Sequence, residues 1–156
     1  MAKKNYGKDY EERFRKNFEK CFPKSFILRL RDNVSKYRGS ARNPCDFICH
    51  VGNILYMLEV KCHYGNTFPF QDLRQYDDLI TYLGLENVEI GVMIWFIDHD
   101  EELYVPIETI RKMKEDGEKS VNIRKLKDYK VIHVPSKKMR VFLDSDYSFM
   151  SLPIEK

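Results

Sequence analysis

The chain has no apolar run long enough to cross a bilayer. Its most apolar stretch, Val92-Met-Ile-Trp-Phe-Ile97, falls far short of the ~20 residues that a spanning helix needs, and reads as a core strand. Glycine-rich signatures are missing too. There is no P-loop, no serine-hydrolase elbow and no dinucleotide-binding glycine pattern, which sets aside the chemistries those loops serve. No repeat, low-complexity tract or linker interrupts the 156 residues, so residues 1–156 read as one domain with a sizeable core. Met1-Ala-Lys-Lys-Asn5 is not followed by an apolar stretch, and cysteine is scarce at four residues. Together these point to a reducing, cytoplasmic setting. Cys45, Cys49, His50, Cys62 and His63 admit a zinc reading, but strand alternation puts Cys45 and Cys49 on the face away from Asp46 and His50, where free cysteines are ordinarily core. The acidic run Asp98-His-Asp-Glu-Glu102 lacks the spaced ligands and central glycine of a calcium loop and reads as a solvated hairpin tip.

What the chain does have is charge, unevenly placed. The formal net charge is only +3, so a polyanionic partner must be met by local patches. Between residues 29 and 43, Arg29, Arg31, Lys36, Arg38 and Arg42 against Asp32 leave a net +4. A second basic stretch, 111–140, carries a net +7. Charged stretches are ordinarily just solvated. Beside a carboxylate cluster they suit a phosphodiester backbone, because Lys and Arg release counterions when they neutralise phosphates.

The stretch 43–61 predicts such a cluster. Two runs rich in β-branched and aromatic residues meet at Gly52-Asn53, and glycine at the first central position suits a two-residue type II′ turn. With that register Val51 faces Ile54, His50 faces Leu55, and Asp46 falls opposite Glu59. Directly opposed residues have Cβ atoms about 4.5–5.5 Å apart, and like charges placed so are destabilising. Lys61 lies on the same face, diagonal to Asp46. One ammonium cannot satisfy two carboxylates that also need desolvating, so a divalent cation with oxygen ligands is the natural third party. The bland alternative is an exposed hairpin with a Glu-x-Lys pattern. Against it, Phe47, Cys49, Ile54, Leu58 and Val60 cover one face while Ile48, Leu55 and Met57 share the other with the charges, the mark of a strand interior to a sheet. A bulge would shift the pairing and turn a side chain to the other face.

Elsewhere, residues 6–22 read as an amphipathic helix. Glu11 falls within its apolar sector, whereas Glu12 and Glu19 fall opposite. An inward Glu11 would need a partner or a metal, and a slight rotation of the helix would leave it at the rim in water. A first strand is predicted over 25–30, a loop over 63–69, and a helix over 71–83 with Leu73, Tyr76, Leu79, Ile80 and Leu83 on one side and Gln75 at the edge of that stripe. Then come a strand over 88–97, a short strand over 103–105, a helix over 107–114, and late strands over 131–134 and 140–143 that close a sheet or wrap a partner subunit. Tyr147 and Phe149 read as exposed aromatics suited to an interface.

Pro44-x-Asp46 followed after a short hairpin by Glu59-x-Lys61 resembles the core motif of the PD-(D/E)XK nuclease superfamily. Asn43-Pro-x-Asp-Phe47, Tyr56-x-x-Glu59-x-Lys61, Thr67-Phe-Pro69 and Gln75 together resemble RecU-type Holliday-junction resolvases and their phage-encoded relatives, over roughly residues 5–108. The resemblance implies an α/β fold, a restriction-endonuclease-like αβββαβ core with a mixed central sheet flanked by helices. It implies a Mg²⁺-dependent endonuclease, with Mn²⁺ able to substitute, that cuts four-way DNA junctions as a homodimer, its two subunits nicking opposing strands to leave 5′-phosphates. Asp46, Glu59, the carbonyl of Val60 and, through Gly7-x-x-x-Glu11, Glu11 become metal ligands. Lys61 orients the attacking water, and Gln75 is aimed at the active site or the substrate phosphate. Arg29, Arg31, Lys36, Arg38, Arg42 and His63 are read as DNA contacts. In one respect the chain departs from the family. RecU-type enzymes carry a longer stalk insertion before the motif, where this sequence has only about a dozen residues, which opens linear duplex or flapped DNA as alternative substrates. A nonenzymatic nucleic-acid-binding module is the reading from another class.

Overall fold

The computed structural model describes residues 4–30, 43–139 and 142–151. Strands β2 (Phe47–Val51) and β3 (Ile54–His63) pair antiparallel in the expected register, Val51 opposite Ile54 and Phe47 opposite Leu58. Of the two turn residues only Gly52 takes a positive φ, +62°, which is the type II′ pattern; type I′ needs both. At the open end of the hairpin the Asp46 N–H donates to the Leu58 carbonyl at 3.0 Å, so Asp46 and Phe47 both oppose Leu58 in the manner of a bulge. That step breaks the alternation. Cys45 and Cys49, expected on one face, pack in opposite layers of the core.

Six strands form a mixed sheet in the order β1 (Phe26–Arg29), β2, β3, then two strands here named β5 (Val88–Phe96) and β6 (Glu101–Pro106), and finally β8 (Ile132–Val134). The β3–β5 pair is parallel and the others antiparallel. Helix α1 (Gly7–Cys21) covers one face, burying Tyr10, Phe14 and Phe18 against Phe47, Tyr56, Leu58 and Val60. It stops at Phe22 because Pro23 has no N–H to continue the ladder. Phe14 and Phe18 are wholly buried, each contributing about 1.5–3 kcal/mol of apolar burial. The opposite face is covered by β4 (Thr67–Pro69), α2 (Tyr76–Ile80), α3 (Ile107–Glu115) and β7 (Ser120–Asn122), whose Phe68, Leu79, Ile107, Ile110 and Met113 pack with Ile90, Val92 and Ile94. Strand β5 feeds both layers, since Met93 and Trp95 point to the α1 side, which is why its sequence is apolar almost throughout. A hairpin of β9 (Ser136–Met139) and β10 (Phe142–Ser145) packs beside α1. No helix among the described residues is long and apolar enough to cross a membrane.

Three expectations need correction. The helix predicted over 71–83 is only Tyr76–Ile80, preceded by a 3₁₀ turn at Phe70–Asp72. Leu73 leaves helical geometry at φ −93°, ψ 74° and sinks its side chain into the core, while the Thr81 hydroxyl donates to the Asp78 carbonyl at 2.6 Å and ends the helix. The run 98–102 forms the expected hairpin tip, with Asp98 and Glu101 exposed, but it is not solvated throughout. The Gly65 N–H donates to Asp98 at 2.7 Å, and Glu102, opposite Trp95 on β6, is 1% exposed. Its Oε2 accepts the hydroxyls of Tyr10 and, at 2.7 Å, Tyr147. Accordingly Tyr147 is fully buried and Phe149 half-buried, its ring 5.4 Å from that of Tyr104. They serve the core, and β8 extends the sheet beside β6.

Candidate metal centre

The site grows out of the bulged start of β2 and the middle of β3. Asp46, at the bulged start of β2, lies against Glu59 and Lys61, which share one face of β3 by strand alternation. Asp46 Oδ2 accepts the backbone N–H of Val60 at 2.9 Å and lies 3.3 Å from Lys61 Nζ. Lys61 Nζ stands 3.9 Å from Glu59 Oε2. The predicted triad of Asp46, Glu59 and Lys61 therefore converges, and its members differ in exposure. Glu59 is fully buried, Asp46 mostly so, and Lys61 retains a 31% exposed side chain.

Burial sets the protonation of the pair. Desolvation, then the hydrogen-bonding and negative charge of Asp46, push the Glu59 carboxyl up to about 9. Burial also works to raise Asp46, but the Glu59 carboxyl, Lys61, the Val60 N–H and Arg29 together hold it below the usual carboxylate range. Without a metal the two acids thus keep one proton, on Glu59. Lys61 loses some basicity to burial and more than regains it from Asp46 and Glu59, so it stays an ammonium. The Cys45 thiol beside them is pushed up to about 12 by burial and then by Glu59, so it stays protonated in the metal-free chain.

Neither carboxylate oxygen of Glu59 receives a hydrogen bond from the described residues. Two buried hard oxygens without a donor, next to a second carboxylate, suit a divalent cation. No set of three His, Cys, Asp or Glu side chains converges among the described residues, so this arrangement offers two acids rather than three. The Glu11 carboxylate belongs to Arg29, which donates to it from Nε and Nη2, both at 3.1 Å. The same guanidinium bonds the carbonyls of Asp46, at 3.1 Å, and Leu30, and sets Nη2 3.8 Å from Asp46 Oδ1. Sequence reasoning had Arg29 only as a DNA contact. The signal that could have shown its role was its place at the end of β1, where Leu30 N–H pairs with the Asp46 carbonyl.

Val60 gives its N–H to Asp46. Gln75 precedes α2 with its carbonyl accepting the Leu79 N–H at 2.8 Å, and its side chain caps no helix N–H. His63 closes β3 with Nδ1 2.6 Å from the Tyr64 carbonyl and Nε2 3.8 Å from Asp72. Arg31, Lys36, Arg38 and Arg42 lie outside the described residues.

No family model matches the chain and no curated protein sequence matches it. Among solved structures it is similar to Hjc, a Holliday junction resolvase from the archaeal hyperthermophile Archaeoglobus fulgidus. The two share 17% identity at a TM-score of 0.50, over 66% of this chain and 78% of that one. The chain therefore has the restriction-endonuclease-like fold: a mixed central sheet flanked by helices, with Asp46 just before the second strand and Glu59 on the third.

Proposed function

We propose that this chain is a divalent-metal-dependent DNA endonuclease whose substrate is a branched duplex, the four-way junction first among them. The observation that carries the reading is the convergence of Asp46, Glu59 and Lys61, with both oxygens of Glu59 buried and undonated. Asp46 and Glu59 would hold the cation, Mg²⁺ or in its place Mn²⁺, with the carbonyl of Val60; the Glu11 carboxylate, tied to Arg29 in the metal-free chain, would join them only on giving up that guanidinium. The bound ion supplies Lewis acidity at the scissile phosphate and lowers the pKa of a water ligand.

The chain's own residues do the rest. Lys61, fixed as an ammonium 3.3 Å from Asp46, donates to the attacking water and offsets the charge that builds on the phosphate. The Val60 N–H holds the Asp46 carboxylate at a fixed angle, so that only one of its oxygens is tied to the backbone. Gln75 and His63 face the substrate phosphate, and Arg31, Lys36, Arg38 and Arg42 are the basic residues that contact the DNA backbone. The fold likeness to a Holliday junction resolvase and the motif string from Asn43 to Gln75 support the junction as substrate and a homodimer that nicks opposing strands. The short span between β1 and β2 favours a second reading, cleavage of linear or flapped duplex, because it leaves little chain with which to reach a junction centre.

Asp46→Asn and Glu59→Gln test the assignment. Each is expected to abolish Mg²⁺-dependent cleavage while leaving the fold and DNA binding intact; a variant that cleaves normally refutes it. A nonenzymatic binding module would bind DNA with the same salt dependence and be indifferent to Mg²⁺ throughout.

A further inference from the structure

Arg29 is occupied in a way that an arginine waiting for a phosphate is not. Its two parallel donations to Glu11, both at 3.1 Å, are the strong fork-to-carboxylate arrangement. Its Nη1 bonds the backbone carbonyls of Leu30 and Asp46, and its Nη2 also stands 3.8 Å from the Asp46 carboxylate. The guanidinium lies 5.5 Å from the Phe47 ring centroid. A planar monovalent cation therefore bridges the carboxylate of α1 and the carboxylate of the hairpin, two oxygen donors that the proposed metal set requires.

We propose that Arg29 is an exchangeable counter-ion. In the metal-free protein it holds Glu11 against Asp46; a divalent cation taking those carboxylates releases the guanidinium to bind a DNA phosphate next to the scissile bond. The inference rests on the metal-dependent reading above. Three features support it. A guanidinium and a doubly charged ion cannot share Glu11 and Asp46 without mutual repulsion in a partly buried site. Arg29 keeps 29% of its side chain exposed, so it leaves by swinging into solvent and not through the core. In sequence it also opens the stretch of net +4, the part of the chain whose composition suits a phosphate backbone. Exchange makes metal and DNA each improve the other's binding, since the metal creates the free arginine and the phosphate keeps it away from Glu11.

The experiment compares DNA affinity of the full chain in EDTA and in Ca²⁺, an oxygen-ligand ion used to limit turnover, for the wild type, Arg29→Ala and Arg29→Lys. Calorimetric Ca²⁺ titrations without DNA run alongside. The wild type is expected to bind DNA about five- to tenfold more tightly with the ion than without. Arg29→Ala should match it within about twofold in EDTA and gain several-fold less from the ion; Arg29→Lys, which keeps the charge but not the fork, should fall between them. The inference is overturned if Arg29→Ala weakens binding equally in EDTA, which means the guanidinium already holds phosphate. It is also overturned if the alanine variant keeps the full gain. Calorimetry separates the two levels of failure. Wild type that takes up no ion defeats the metal-dependent reading as well, whereas uptake with an Arg29-independent gain defeats only the exchange.

Discussion

Asp46 and Glu59 share one proton across the start of the β2–β3 hairpin, the first held below its usual range and the second pushed up to about 9. Two neighbouring acids whose environments drive them apart in this way are characteristic of sites where charge is to be supplied by a ligand. The arrangement costs the metal-free fold stability, because the carboxyl with no hydrogen-bond donor is also the more deeply buried one.

That cost has a pH signature. Glu59 keeps its proton in the folded chain up to about 9, whereas in the unfolded chain it ionises near 4.3. Between these values the unfolded state binds fewer protons, so stability falls as pH rises and levels off above about 9. Asp46, shifted down, acts oppositely and only at the acid end, losing its contribution as pH falls through its lowered value. Glu59→Gln removes the alkaline loss and is expected to be the more stable protein at pH 9 by roughly 1–4 kcal/mol. Thermal melts in EDTA at pH 5, 7 and 9 measure it; parallel curves for the two proteins would show that Glu59 does not hold a proton.

Metal uptake should carry the same proton. Because Glu59 must ionise to serve as a ligand, affinity for Mg²⁺ or Mn²⁺ is expected to rise up to about tenfold per pH unit below 9, with close to one proton released per ion. Calorimetry in two buffers of different ionisation enthalpy counts the proton. A pH-independent affinity would mean that the ion binds elsewhere.

Lys61 is predicted to act on the reaction and not on binding. Lys61→Met is expected to lower the cleavage rate by about 10²–10³ with DNA affinity changed little. A variant that cleaves normally but binds DNA weakly would reverse the assignment and make Lys61 a phosphate contact.

Away from the site, Glu102 ties three parts of the chain together through Tyr10 and Tyr147. Tyr10→Phe and Tyr147→Phe are each expected to cost about 1–2 kcal/mol. The double variant should cost more than the sum, because a fully buried carboxylate then loses both phenolic donors. Urea unfolding of the four proteins closes the cycle, and simple additivity would show that the two hydroxyls do not depend on one another.

How far the sequence reveals this molecule follows the range of the interactions. The hairpin register was legible from Val51 out to Phe47 because a two-residue turn at Gly52 counts outward, but the bulge beyond it sets Asp46 against Leu58 and not opposite Glu59 as expected; the α1 boundaries were legible because Pro23 stops a strongly amphipathic run. Glu102 was not legible. Its run of acids looks solvated, and what buries it are Tyr10 and Tyr147, separated from it by 92 and 45 residues. Arg29 was half legible: its charge suggested a phosphate partner, and only the pairing of β1 with β2 brings it to Glu11 and Asp46. The helix expected over 71–83 failed because apolar periodicity does not register a single residue, Leu73, that leaves helical dihedrals to fill the core.

The most direct measurement is cleavage of labelled four-way junctions and of linear duplex of equal length, by wild-type protein and by Asp46→Asn, with Mg²⁺ and with EDTA, the products being sized. The account predicts paired nicks near the junction only for wild type with Mg²⁺, and little cutting of the linear duplex. Cutting that persists in EDTA or in Asp46→Asn would contradict it.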